Sequence, residues 1–202
     1  MRKAVFLDRD GVINRVVYHS DVGILDTPFT PSQFRLLPRA GEAISMINEM
    51  GLYAVLVSNQ PGIAKGHFDE GTFIEIEKRM ERQLKRKDAH VDGSYYCFHH
   101  PQGVVKGLRK RCGCRKPNPG LLFRAAKELK LDLKSSYFIG DSITDIQAGR
   151  KAGCVTFLIG NHKCDLCRFL EQKKVKPDFV VPSLYEAVRI IKKREESLQK
   201  EG

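Results

Sequence analysis

The 202-residue chain has no tryptophan and only 8% aromatic residues. Its basic runs contain no interleaved stacking aromatics, which argues against a surface that binds nucleic acid by base stacking. No apolar run approaches the roughly 20 residues that cross a bilayer, so no membrane segment is expected. Met1-Arg2-Lys3 leads straight into an apolar stretch, leaving no room for a secretory leader. The expectation is a cytoplasmic protein, most simply a monomer. In that compartment six cysteines argue against a disulfide framework and for metal ligation or buried thiols. Internal repeats and low-complexity segments are absent as well.

Acidic residues are in deficit: 24 Asp and Glu against 35 Lys and Arg, a formal charge of +11. Much of the excess lies in 79–87, 106–115 and 173–176. The first and last of these read as solvated faces. A basic balance suits anionic partners, and a small phosphorylated substrate needs only a few of these charges.

The 42% hydrophobic fraction is that of an ordinary core, and the length fits one domain spanning 1–202. Apolar runs at 4–7, 53–57, 94–97, 137–140, 155–159 and 178–181 read as strands. Helical spacing covers 40–50, 69–87 and about 183–195, followed by a frayed, charged tail. Asn118-Pro119 is predicted to open a further helix as cap and first turn. This alternation predicts an α/β fold with a doubly wound, Rossmann-like parallel sheet covered on both faces. The stretch 15–38, with Pro28, Pro31 and Pro38, has no steady period and reads as a long loop with a possible extended piece at 32–37. A loop of that length in a compact domain is usually functional.

Parallel sheets bind ligands outside the carboxyl ends of their strands, and there the polar residues gather. Asp8 and Asp10 follow the first strand, Ser58 and Asn59 the second, and Asp141 the fourth. Two carboxylates spaced i, i+2 crowd one volume and favour a cation or a shared proton. Asp8 and Asp141 can share Mg²⁺. Asp8 can attack phosphorus, and Asp10 can serve as general acid and base. Ser58 and Asn59 offer hydrogen bonds, and Lys116 and Arg115 positive charge, to the transferring phosphoryl group. Arg9, between the two aspartates, is grouped with Asn59 and Arg115 as substrate-binding.

Asp8-Arg9-Asp10-Gly11-Val12, Ser58-Asn59, Lys116 and Gly140-Asp141-Ser142-Ile143-Thr144-Asp145 together resemble the four motifs of the haloacid dehalogenase superfamily of phosphatases. The resemblance spans nearly the whole chain. It implies Asp8 as nucleophile, Asp10 as acid/base, Ser58 as phosphoryl ligand and Lys116 as stabilising cation. Mg²⁺ would be held by Asp8, Asp141 and the Asp10 carbonyl. Asp145 matches the second acid of the last motif, with capping or salt-bridging of the following helix as the alternative.

The segment 97–117 supplies three thiols and two imidazoles. Structural Zn²⁺ takes four such ligands in a tetrahedron. Cys97, His99, Cys112 and Cys114 form the expected set, with His100 as the competing imidazole and a reduced, metal-free loop as the alternative. Such an ion would fix Arg115 and Lys116 beside the phosphate. This zinc-loop insertion at about 97–114, with no large cap domain, resembles a subgroup acting on heptose 1,7-bisphosphate or histidinol phosphate, and the loop 15–38 bears on that choice. Cys164 and Cys167, with His162 upstream, read as structural or incidental, and His67 as a loop histidine.

Overall fold

The computed structural model describes residues 2–160 and 176–200. Among the described residues there are eight strands: β1 (Ala4–Leu7), β2 (Val17–His19), β3 (Ile24–Asp26), β4 (Tyr53–Asn59), β5 (Gly93–Cys97), β6 (Tyr137–Gly140), β7 (Val155–Ile159) and β8 (Phe179–Val181). The helices are α1 (Ala40–Glu49), α2 (Gly62–Lys65), α3 (Glu70–Lys85), α4 (Gly120–Leu129), α5 (Ile143–Ala152) and α6 (Leu184–Lys200).

Six strands form a parallel sheet in the order β5-β4-β1-β6-β7-β8. Each central strand is apolar on both faces because helices cover both. Val5, Leu7, Ala54, Leu56, Tyr137 and Ile139 pack into one core with Ile44 and Ile47 of α1, Ile76 and Met80 of α3, and Val188 and Ile191 of α6. Their neighbours Ala4, Phe6, Val55, Val57 and Phe138 point the other way, onto Leu121, Leu122 and Ala125 of α4 and Ala148 of α5. The chain leaves β1 for β4 and β5 on one side, then returns to β6 on the other. The loops after β1, β4 and β6 therefore meet at the switch point, where parallel sheets leave room for a ligand.

Several boundaries differ from the sequence reading. β4 runs on through Ser58 and Asn59, which pair with Tyr96 and Cys97 of β5, so these two polar residues end the strand rather than follow it. The stretch 15–38 is not structureless. It contains the antiparallel hairpin β2–β3, turned at Gly23, and a 3-10 turn over Pro31–Gln33. In the expected extended piece at 32–37, Leu36 alone makes a bridge, to Asn14. Strands of three residues are too short to show a period of two, so the hairpin left no pattern to read. α4 starts at Gly120 with Pro119, which has no side-chain acceptor, in the cap position, while Asn118 lies one residue earlier and donates its amide to the Cys112 carbonyl at 3.0 Å. The C-terminal helix continues to Lys200 instead of fraying near 195. His162, Cys164, Cys167 and 173–175 lie outside the described residues.

Candidate active site

The chain turns sharply after β1. Gly11 has φ +80°, and a β-carbon there would lie 1.9 Å from Asp141 Oδ2, so only glycine lets the first loop approach the end of β6 this closely. The turn is tied by Gly11 N–H donating to the Asn14 carbonyl at 2.8 Å and Ile13 N–H to the Arg9 carbonyl at 2.8 Å. Asp8 accepts from the Arg9 amide at 2.8 Å and hydrogen-bonds with Ser58.

Lys116 enters from the loop ahead of α4. Its Nζ lies 2.9 Å from Asp8 Oδ1 and 2.6 Å from Asp145 Oδ1 and donates to the Val57 carbonyl at 3.0 Å. Burial works against the ammonium charge, but Asp145 and Asp8 outweigh it and hold the Lys116 pKa well above its ordinary value. Burial pushes Asp8 up to about 6 against the pull of Lys116. Asp141 is pushed up to about 8, by burial first and then by repulsion from Asp8 and Asp145.

Asp8, Asp141 and Asp145 can each offer an oxygen within 4.8 Å of the others. Three carboxylates beside one lysine leave excess negative charge on hard oxygen donors, a set that suits Mg²⁺. Asp145 is wholly buried, one oxygen on Lys116 and the other accepting from the Ser142 amide at 3.0 Å and hydroxyl at 2.5 Å. It therefore caps α5 and anchors Lys116, leaving Asp8 and Asp141 to face the cleft.

Asp10 has different surroundings. Its carboxylate accepts from Gln60 Nε2 at 2.6 Å, Asn14 Nδ2 at 2.8 Å, Thr27 Oγ1 at 3.0 Å and Arg9 Nη2 at 3.2 Å. Sequence reasoning did not single out Thr27, Gln60 or Asn14, since each is an ordinary loop residue until the fold brings it to Asp10. Arg9 requires a correction. It is 0% exposed, and its guanidinium is taken up by Glu77 at 2.8 Å, Gln60 at 2.7 Å, Asp10 and Thr27. Glu77 in turn accepts from the Tyr96 hydroxyl. With no atom facing the cleft, Arg9 cannot bind substrate; it supports Asp10 from behind. Asn59 is similarly committed. Its side chain accepts from the Lys116 amide at 3.0 Å and donates to the Lys116 carbonyl at 3.2 Å, so it positions the lysine.

The cleft has a volume of about 320 Å³ and includes Asp8, Asp10, Ser58, Asn59, Arg115, Lys116 and Asp141 in its lining. The β2–β3 hairpin supplies a further wall through Val16, Leu25, Asp26 and Thr27, and Lys65 joins it at 3.2 Å from Asp26. Arg115 Nη1 donates to the His99 carbonyl at 3.2 Å. His67 stacks on Phe29, which stacks on His19, so it braces the base of the hairpin.

Beside the cleft, the Cys112 and Cys114 sulfurs lie 3.1 Å apart, and those of Cys97 lie 3.5 and 3.3 Å from them. These separations far exceed the about 2.05 Å of a disulfide. His99 Nδ1 is 3.4 Å from Cys114 Sγ, whereas His100 Nδ1 accepts from the Gln102 amide at 3.2 Å. Of the two imidazoles, His99 thus joins the three thiols, giving a closed four-ligand set of the type that holds structural zinc. Burial raises the Cys97 thiol, while hydrogen bonds from Cys114 and Cys97 overcome burial and lower that of Cys112. Cys154 is buried in the core beneath α4 and α5 and is not among the four clustered ligands.

A HAD-hydrolase-like family model matches residues 113–187. The chain is 37% identical over 193 residues to D-glycero-beta-D-manno-heptose-1,7-bisphosphate 7-phosphatase of Pasteurella multocida, covering 95% of this chain and 98% of that one. It is also 37% identical to the Escherichia coli K12 enzyme of the same name, over 97% of each chain. The D,D-heptose 1,7-bisphosphate phosphatase of B. bronchiseptica, solved with magnesium and phosphate, superposes with a TM-score of 0.78 at 30% identity, covering 95% of this chain and 99% of that one. The fold and cleft define a phosphate-ester hydrolase of the haloacid dehalogenase class. The chain belongs to the haloacid dehalogenase-like phosphatases, the family that includes these relatives.

Proposed function

We propose that this phosphatase hydrolyses the 7-phosphate of D-glycero-D-manno-heptose 1,7-bisphosphate through an aspartyl-phosphate, working as a single domain. The observation that carries the reaction is the placement of Asp8 between Lys116 and Asp141, with Asp10 held apart in its own hydrogen-bonded seat. The substrate follows from the 37% identity to enzymes of that name over nearly the whole chain.

An Asp8 oxygen attacks phosphorus as the bond to the sugar oxygen breaks, and Asp10 gives its proton to the departing alkoxide. Asp10 then takes a proton from the water that attacks the phosphoryl group, which frees phosphate and regenerates Asp8. Lys116 neutralises Asp8 and faces the charge on the transferring oxygens, and Ser58 donates to one of them. Arg115 and Lys65 line the cleft beyond the phosphoryl position, where a sugar carrying a second phosphate would extend. Mg²⁺, held by Asp8, Asp141 and the Asp10 carbonyl, would supply charge that lets the anionic phosphoryl group approach a carboxylate. Cys97, His99, Cys112 and Cys114 would hold Zn²⁺ as a structural ion, which would tie the end of β5 to the loop that presents Arg115 and Lys116.

The test is phosphate release from heptose 1,7-bisphosphate and from histidinol phosphate, compared as kcat/KM, with Asp8→Asn as control. The expected result is a preference for the bisphosphate and no turnover by the variant. A higher kcat/KM on histidinol phosphate overturns the substrate; wild-type turnover by Asp8→Asn overturns the nucleophile.

A further inference from the structure

A second cationic groove lies outside the catalytic cleft and shares no lining residue with it. It has a volume of about 390 Å³ and is lined by Arg35 and Leu36 from the segment after the hairpin, and by Arg79, Arg82, Gln83, Arg86 and Lys87 on and just beyond α3. Arg79, Arg82 and Arg86 fall three and four residues apart, which puts them on one helix face, where like charges repel. Among the described residues, no carboxylate is within ion-pair distance of any of these five cations. Some surface arginines on other helices do have acidic partners: Arg39 pairs with Glu42, Arg124 with Glu128 and Arg189 with Glu186. Glu75, the acid that senses Arg82, is committed to Lys78 at 2.8 Å.

The groove is also held in shape. Arg79 Nε and Gln83 Nε2 both donate to the Phe34 carbonyl at 3.3 Å, and Gln83 Oε1 accepts from the Leu36 amide at 3.3 Å. Arg35 Nη1 donates to the Ser32 carbonyl at 2.5 Å and the Phe34 carbonyl at 2.8 Å. The stem of Lys87 lies over Gly41, where a β-carbon would come within 2.7 Å of its Cγ. Two chain segments are thus clamped together with their cations on one concave surface and, among the described residues, no carboxylate paired to them.

We propose that this groove is a binding site for a polyphosphate anion, meaning a di- or triphosphate chain, separate from the phosphatase centre. Several guanidinium groups favour phosphate oxygens, which they can meet with paired hydrogen bonds. A single phosphate carries too little charge to compensate five cations, whereas a chain of two or three spans them. Among the described residues Leu36 is the only apolar one lining the groove and no aromatic ring lines it, so the phosphate chain itself is recognised rather than a base stacked on it. The concave shape and lack of apolar anchors disfavour a membrane surface.

The experiment is isothermal titration of the wild-type protein and the Arg82→Glu/Arg86→Glu double variant with inorganic tripolyphosphate and with ATP, at 150 mM salt. Phosphate-release kinetics are measured on both proteins without added polyphosphate. Neither residue lines the cleft, so equal kcat and KM show that the variant is folded and its catalytic centre intact. The expected result is sub-millimolar binding of tripolyphosphate by the wild type, weakened at least tenfold in the variant. ATP binding that weakens in parallel identifies a nucleotide as one source of the chain; loss confined to tripolyphosphate identifies an inorganic source. Equal affinity in the two proteins, or no sub-millimolar binding by the wild type, overturns the proposal. Should that variant fail to fold, Arg82→Gln/Arg86→Gln is read by the same criterion.

Discussion

Lys116 and Asp8 form an ion pair at 2.9 Å, the lysine buried and the aspartate open to the cleft, and the wholly buried Asp145 holds the same ammonium at 2.6 Å. Removing one partner of such a buried set leaves charge without compensation. Lys116→Met is expected to destabilise the protein by about 3–5 kcal/mol and to abolish phosphate release. Adding Asp145→Asn is expected to restore part of the stability in urea denaturation and none of the turnover. If Lys116→Met unfolds at the wild-type midpoint, the ion pair does not contribute as argued.

Asp141 ties metal affinity to pH. Its folded pKa of about 8 lies above the ordinary 3.8, so the folded, metal-free protein binds a proton more tightly than the unfolded chain. That contribution to stability is complete below about pH 4 and is lost as pH rises through 8. The Tm of the metal-free protein should therefore fall from about pH 4 to about pH 8 and level off above that, and Asp141→Asn should flatten the fall. Because Mg²⁺ must displace the proton, its affinity should weaken by up to about tenfold per pH unit below 8, as calorimetry at several pH values will show.

Thr27 connects the hairpin to Asp10, donating to its carboxylate at 3.0 Å while accepting from Arg9. A hydrogen bond to a charged group contributes about 1.5–3 kcal/mol. Thr27→Val should thus lower kcat roughly 10–100-fold with little change in KM, and Thr27→Ser should recover most of the loss. A kcat unaffected by Thr27→Val would remove the hairpin from any part in positioning Asp10.

Zinc analysis of the purified protein should give one ion per chain. Cys112→Ser or strong chelation should lower Tm and reduce turnover together, because Lys116 follows Cys114 by two residues and the intervening Arg115 rests on the His99 carbonyl. Wild-type turnover in protein shown to be zinc-free would break that link.

The sheet and the main acidic positions were legible because they depend on local pattern. Apolar runs ending in Asp8-Arg9-Asp10, Ser58-Asn59 and Gly140-Asp141 identify strands and mark their carboxyl ends, where parallel topology brings them together. The cysteine segment was legible through ligand chemistry, but spacing alone left His99 and His100 open. The backbone path brings His99 beside the Cys114 thiol and engages His100 with the Gln102 amide, which favours His99.

Other assignments had no local signal. Arg9 stands between two acids and reads as a cleft cation; only the tertiary placement of Glu77 from α3 and Gln60 from just past the end of β4 against its guanidinium makes it a buried support. The hairpin's three-residue strands are invisible to periodicity, yet they supply Thr27 and a wall of the cleft. By itself the sequence determined which chemical groups stand at the strand ends, because alternation and burial are written residue by residue. Only the tertiary structure decided which of those groups face the cleft and which are consumed as supports. That choice depends on hydrogen-bond partners brought from 17 to 68 residues away in the chain.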